Sequence, residues 1–156
     1  MSINNPSQLA VFTLDEQKYA LRISVVERML RLVEITFLPD SPDIVMGIIN
    51  VQGKMIPVFN VRRRFRLPER EMDISDHIII AKTSKRTVAL LVDEVLGIYA
   101  FTAGDIVQPD EIMPSMEYLE GVVKTADGMI LIHDLNRFLS LDEESTLDAA
   151  LSEHDE

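Results

Sequence analysis

Apolar residues fall in short runs, many alternating with polar ones, and clusters of turn residues separate the runs. A period of two is a strand signal, because successive side chains of an extended backbone point to opposite faces. Residues 9–14 predict a strand, 15–18 a turn and 19–23 the returning strand of a hairpin. Residues 25–37 are rich in branched side chains and predict an extended segment that stops before Leu38-Pro39; Pro39, Asp40, Ser41 and Pro42 then mark a loop. Residues 46–51 and 55–59 predict a hairpin around Gln52-Gly53-Lys54, and 77–82 and 87–92 another around Ser84-Lys85-Arg86. Residues 118–125 and 129–132 flank Ala126-Asp127-Gly128, where Asp-Gly is a strong turn signal. A short strand is expected over 97–101, and short helices over 61–65, 135–139 and 143–151. The last helix has Leu147 and Leu151 one turn apart and acids in its first turn, where the helix dipole favours them. Disorder is expected from about Ser152.

The pattern is duplicated. Residues 47–65 lie over 121–139 without a gap, bringing Gly47 onto Gly121, Met55 onto Met129, Ile56 onto Ile130 and Arg63 onto Arg137. Asn60 and Asp134 coincide just before a short helix, and both are good N-caps because a side-chain oxygen there accepts from an unpaired backbone N–H. Tyr19-Ala20-Leu21 matches Val88-Ala89-Leu90 in the same way. The chain thus reads as two related halves of two hairpins each. Two copies are too few for a solenoid, and each is the size of a small barrel that buries little surface alone. The halves are therefore expected to share a core.

Composition narrows the function classes. The 156 residues fit one domain, and a hydrophobic share of 47% excludes wholesale disorder. The net charge of −11 disfavours binding to nucleic acid or anionic membrane surfaces, and an aromatic share of 6% supplies a poor stacking platform. Much of the acid sits in residues 142–156, which contain no Lys or Arg. Cysteine is absent, which removes disulfides, thiol nucleophiles and thiolate metal sites and fits a reducing compartment. The first seven residues are polar and lack a signal-peptide layout, and no apolar run is long enough to span a bilayer.

No active site emerges. His77, His133 and His154 have no metal-ligand spacing and read as structural or solvated, so no metal or cofactor is expected. No Gly-rich phosphate loop occurs, and Ser24 and Ser115 have no base nearby in sequence. Arg62-Arg63-Arg64 reads as the solvated face of a one-turn helix. The methionines read mainly as core filler, with Met46 and Met55 the better interface candidates.

Five segments in order resemble the CheW family from about Gln8 to Leu141: 9–14 with 19–23, 25–27, 47–58, 92–95 and 117–121. The resemblance implies an all-β fold of two five-stranded barrels, pseudo-duplicated and intertwined around a shared core. They would form one domain over 8–141, with a C-terminal helix and acidic tail over 142–156. It implies a non-enzymatic adaptor in the cytoplasm, recruited to receptor arrays. One face would meet the regulatory domain of a CheA-type histidine kinase, the other the cytoplasmic tip of a methyl-accepting receptor. By position, the implied kinase-facing residues are Val25, Met46, Gly47, Asn50, Ile56, Pro57 and Val58. The implied receptor-facing residues are Glu27, Gln52, Gly53, Val92, Val95 and Leu96. Many relatives carry Arg where Gln52 stands, placed to pair with the acid matching Glu27; Gln can accept or donate a hydrogen bond there but supplies no charge. That departure predicts a divergent receptor or pathway, including one with an output other than motility. Two other uses remain open on the residues alone: a small-molecule sensor with a pocket between the barrels, and an oligonucleotide-binding barrel that the charge argues against.

Overall fold

The computed structural model describes residues 7–108 and 118–154. Its strands are β1 (Ser7–Leu14), β2 (Gln17–Arg22), β3 (Val26–Arg31), β4 (Val45–Val51), β5 (Lys54–Phe59), β6 (His77–Lys82) and β7 (Thr87–Val92), followed by β8 (Glu94–Phe101), β9 (Ile106–Val107), β10 (Leu119–Thr125) and β11 (Gly128–His133). Helix α1 (Val61–Arg64) follows β5, and α2 (Leu141–His154) ends the described chain. All four expected hairpins form. Glu117 and Ser115, named in the sequence reading, lie outside the described residues.

Several boundaries differ. The first hairpin turns on Asp15 and Glu16 alone, both at positive φ (50° and 71°), the geometry of a two-residue turn whose twist matches the strands. The extended segment expected over 25–37 begins as a 3-10 turn, Ile23–Val25, and β3 stops at Arg31; only Thr36 pairs again, with Ile48. The helix expected over 135–139 is a single 3-10 turn, Leu135–Arg137. Helix α2 starts earlier than expected, because Ser140 and Glu143 cap it reciprocally: Ser140 Oγ accepts from the Glu143 N–H and the Glu143 carboxylate from the Ser140 N–H. It also runs on through His154, so disorder does not begin at Ser152.

The strands form two sheets, ordered β8-β1-β2-β11-β10-β9 and β3-β6-β7-β5-β4. Shifting the first two hairpin strands by 69 positions and the second two by 74 turns one order into the other. The halves are interleaved: β1 and β2 from the first half pair with strands of the second, while β6 and β7 complete the first half's sheet. In each sheet one bent segment serves both margins. Strand β8 pairs with β1 and its continuation β9 with β10; β3 pairs with β6 and its continuation, Thr36, with Ile48 of β4. Each five-stranded unit therefore curls toward a barrel but stays open at the bend, and the bend's second limb adds β9 as a sixth strand to the first sheet.

Gly47 and Gly121 sit where that bent segment crosses over the sheet. A Cβ on Gly47 would press into the Thr36 carbonyl and lie 2.9 Å from Ile35 Cγ2, and one on Gly121 would lie 2.7 Å from Ile106 Cγ2. The coincidence of these glycines in the repeat is thus a requirement for close backbone approach.

Three apolar clusters fill the molecule. Leu9, Val11, Ala20, Val123, Ile130 and Ile132 fill the inside of the first sheet. Their repeat equivalents, Ile78, Ile80, Ala89, Ile49, Ile56 and Val58, fill the second. Alternate residues of the same strands, such as Phe12, Leu14, Ile79 and Leu90, face a shared core between the sheets. Helix α2 closes that core with Leu147 and Ala150. It is held by Arg64 on Glu143 (2.7 Å) and by Arg86 on Glu144 (2.8 Å) and Asp148.

The Arg62-Arg63-Arg64 run is not a solvated face. Arg62 is buried, Arg64 half-buried, and all three are ion-paired, with only the Arg63–Glu69 pair well exposed. One helical turn spreads the three side chains over different sides, so two of them face inward.

Candidate functional site

The exposed polar end of the second sheet is built by hairpin geometry. In the β4–β5 turn Gln52 (φ 53°) and Gly53 (φ 85°) adopt left-handed conformations, and Asn50 Oδ1 accepts from the Gly53 N–H at 2.8 Å. Lys54 Nζ reaches Thr87 Oγ1 at 3.0 Å, Thr87 pairs with Lys82, and Lys82 Nζ lies 3.7 Å from Glu27 Oε1. Asn50, Gln52, Gly53 and Glu27 therefore share one end of the sheet. Glu27 already has a cation there, from Lys82 rather than from position 52. The pair is exposed, so it contributes at most about 1 kcal/mol to stability.

The other expected contact residues go elsewhere. Val92 pairs with His77, five positions along β6 from Lys82, so it lies at the opposite end of the second sheet from Glu27, and Val95 and Leu96 follow just beyond it in β8 of the first sheet. Val92 is buried and Val95 half-buried, both against the shared core; Leu96 is exposed on the edge strand β8 beside Ile98 and Tyr99. Ile56, Pro57 and Val58 are buried in β5, with Ile56 and Val58 inside the sheet's own core. Their side chains support the hairpin and have no surface to offer a partner. Gly47 is covered by Thr36. Val25 is half-buried in the 3-10 turn, and Met46 half-buried at the far end of β4 from Asn50.

Beside Met46 lies a cavity of about 180 Å³ lined by Arg62, Arg70, Met72, Leu91 and Asp93. It is smaller than the 300–1,000 Å³ usual for a ligand pocket, and its arginines are engaged. Arg62 Nη2 donates to both Asp93 oxygens (2.8 and 2.7 Å) and lies 2.8 Å from Asp15, while Arg70 bridges Asp93 (2.7 Å) and Asp76 (2.6 Å). Burial would raise the Asp93 carboxyl, but hydrogen bonds from Arg62, the Asp15 N–H and Arg70 outweigh it and hold the group below its usual range. The sequence pattern alone does not bring this cluster together, because its members are spread from Asp15 to Asp93. Its one signal was an acid standing directly after the apolar run of β7.

His133 is the other unusual group. The residue is 2% exposed, neither ring nitrogen has a hydrogen-bond partner among the described residues, and the ring sits 4.9 Å from that of Phe65 and 5.2 Å from that of Phe138. Burial, aided by the nearby Arg64 charge, pushes its pKa down to about 3, so the ring is neutral. Among the described residues no three His, Asp or Glu side chains gather to hold a metal, and no helix is long and apolar enough to cross a membrane.

Comparison with known proteins places this geometry. Residues 8–143 match the family described as the CheW-like domain. The chain is 30% identical over 128 residues to the chemotaxis protein CheW of Thermotoga maritima, covering 82% of this chain and 84% of that one. It is 25% identical over 150 residues to the chemotaxis protein CheW of Treponema pallidum, covering 92% and 88%. The crystal structure of the scaffolding protein TtCheW from Thermoanaerobacter tengcongensis superposes with a TM-score of 0.81 at 32% identity, covering 88% of this chain and 95% of that one. With two interleaved, duplicated sheets around one shared core, this chain belongs to the CheW family of chemotaxis proteins.

Proposed function

We propose that this protein is a non-catalytic chemotaxis adaptor that couples methyl-accepting receptors to a CheA-type histidine kinase at receptor arrays in the cytoplasm. The observation that carries the reading is the turn end of the second sheet. There Asn50, Gln52 and Gly53 stand exposed on the β4–β5 hairpin at the same end of the sheet as exposed Glu27 of β3, at positions that the family resemblance assigns to partners. Charges at such a rim set partner choice and register more than affinity. The kinase face then centres on Asn50 and Met46, with Ile56, Pro57 and Val58 as its support. The receptor face draws on Glu27, Gln52 and Gly53 at one end and Val95 and Leu96 at the other, which suits an elongated helical partner.

Gln52 favours a receptor whose contact surface differs from that of relatives carrying Arg, and hence a separate chemosensory pathway as a second reading of the output. Calorimetry against the kinase regulatory domain and a receptor-tip fragment from the same organism tests both. Saturable binding to the kinase domain lost in Asn50→Arg, and to the receptor lost in Glu27→Lys, is the expected result; both side chains are exposed, so the fold survives. No binding to either partner at high concentration removes the adaptor reading. Unchanged receptor affinity in Gln52→Arg removes the pathway reading.

A further inference from the structure

Among the described residues the chain passes between the two sheets only twice, from β2 to β3 and from β7 to β8. The two passages lie at opposite ends of β1: Arg22, before the first, pairs with Leu9, and Glu94, after the second, pairs with Thr13. Four residues of strand separate those positions by about 13 Å.

The passages are built differently. The first is the 3-10 turn Ile23–Val25, in which no residue is fully buried and which no side chain caps. The second is Asp93 alone, and its groups are engaged from four directions. Its N–H donates to the Thr13 carbonyl at 3.0 Å, in the first sheet. Its carboxylate accepts from Arg62 in α1, from Arg70 in the loop before β6, and from the Asp15 N–H in the β1–β2 turn at 2.8 Å. Arg62 in turn donates to the Pro68 carbonyl at 3.0 Å and Arg70 to Asp76. One carboxylate thus ties the turn of one sheet to two segments anchored in the other. The repeat sharpens the contrast. Asp93 falls on Ser24, an exposed hydroxyl, and Arg62 falls on Asn136, which makes a single neutral bond to the Ser84 N–H. Among the described residues the ion pair at the first passage, Arg22 with Glu120, stays within the first sheet, and an ionic brace between the sheets stands at the second passage only.

We propose that Asp93, held by Arg62 and Arg70, is a positioning residue: it is the fixed pivot between the two sheets, and Ile23–Val25 is the compliant side. The brace sets the angle at which the Glu27–Gln52–Gly53 end and the Val95–Leu96 strand are presented together. This extends the adaptor reading, and its first test needs no partner. The chain has no cysteine, so Cys introduced at exposed Arg28 in β3 and Ala100 in β8 takes spin labels without background. Distances between them by double electron–electron resonance report the sheet angle near the compliant end. A narrow distribution in the labelled parent, broadened at least about twofold by Asp93→Asn and unaltered by Ser24→Ala, is the expected result. The parent distribution persisting in Asp93→Asn overturns the proposal. Should Asp93→Asn not fold, Arg70→Gln at the more exposed arm of the brace gives the same decision. A second arm rests on the adaptor reading: with Asp93→Asn folded, receptor-tip affinity falls about tenfold. A broadened distribution with unchanged affinity overturns the positioning role but leaves the adaptor reading in place; absence of binding by the parent overturns that reading but leaves the pivot standing.

Discussion

His133→Phe is expected to stabilise the protein, and more so in mild acid. His133 occupies the repeat position of Phe59, whose ring stacks on Phe138 at 4.6 Å and 4°. The change therefore installs at the second site the ring type that the first already holds. An unpaired buried polar group costs about 1–3 kcal/mol. Some of that relief is offset by the larger ring in a filled core, leaving a gain of about 1 kcal/mol at pH 7.5, or about 2–4 °C in Tm for a chain of this size. Acid adds a second effect. The folded pKa of about 3 lies below the unfolded value near 6.5, so the unfolded state takes up the proton first. Stability from the neutral ring is complete above about pH 6.5 and is lost as pH falls toward 3, at up to about 1.4 kcal/mol per unit. By pH 5 the advantage of His133→Phe grows by about 2 kcal/mol. Urea unfolding of both proteins at pH 7.5, 6.5 and 5 measures this directly. Parallel pH profiles would refute the claim that His133 is held neutral by burial.

Two further substitutions test the backbone. Gly47→Ala drives a methyl against the Thr36 carbonyl, whereas Gly121→Ala meets chiefly a methyl of the Ile106 side chain rather than backbone. Chemical unfolding is expected to show a loss of about 2–4 kcal/mol for the first and under about 2 for the second, and equal losses would contradict the backbone crossing. Glu16→Gly relieves a positive φ in an exposed turn and is expected to raise Tm by about 1–3 °C; a drop would mean that Glu16 makes a contact unrelated to turn geometry.

The hairpins were legible because alternation and turn residues agree there: both strands around Ser84-Lys85-Arg86 were bounded correctly from sequence. The repeat was legible too, since Gly47 and Gly121 mark the same crossing. Sheet membership was not. Nothing local in 19–23 indicates that β2 pairs in parallel with β11, a contact more than a hundred positions away. Strand β9 escaped notice because two residues carry no period. The start of α2 is readable in Ser140, three residues before Glu143, the spacing of a reciprocal cap. Of the candidate contact residues, resemblance supplied positions without depth. Ile56 and Val92 stand in nearly continuous apolar runs, the mark of strands buried on both faces, and β5 and β7 hide their side chains accordingly. The Asp93 brace depends on residues at 15, 62, 70 and 76, which only the fold brings together.

The interleaving of the halves also orders events during synthesis. The second sheet has all its strands once β7 leaves the ribosome, because β3 to β7 are consecutive in the chain. The other sheet is begun by the first hairpin made and must wait for β10 and β11. Strand β2, with Tyr19, Ala20 and Leu21, therefore stays without its β11 neighbour while most of the chain is translated. Of the described strands, the first hairpin emerges before the others and is among the last to be covered, and it is there that a chaperone would find the nascent protein longest exposed.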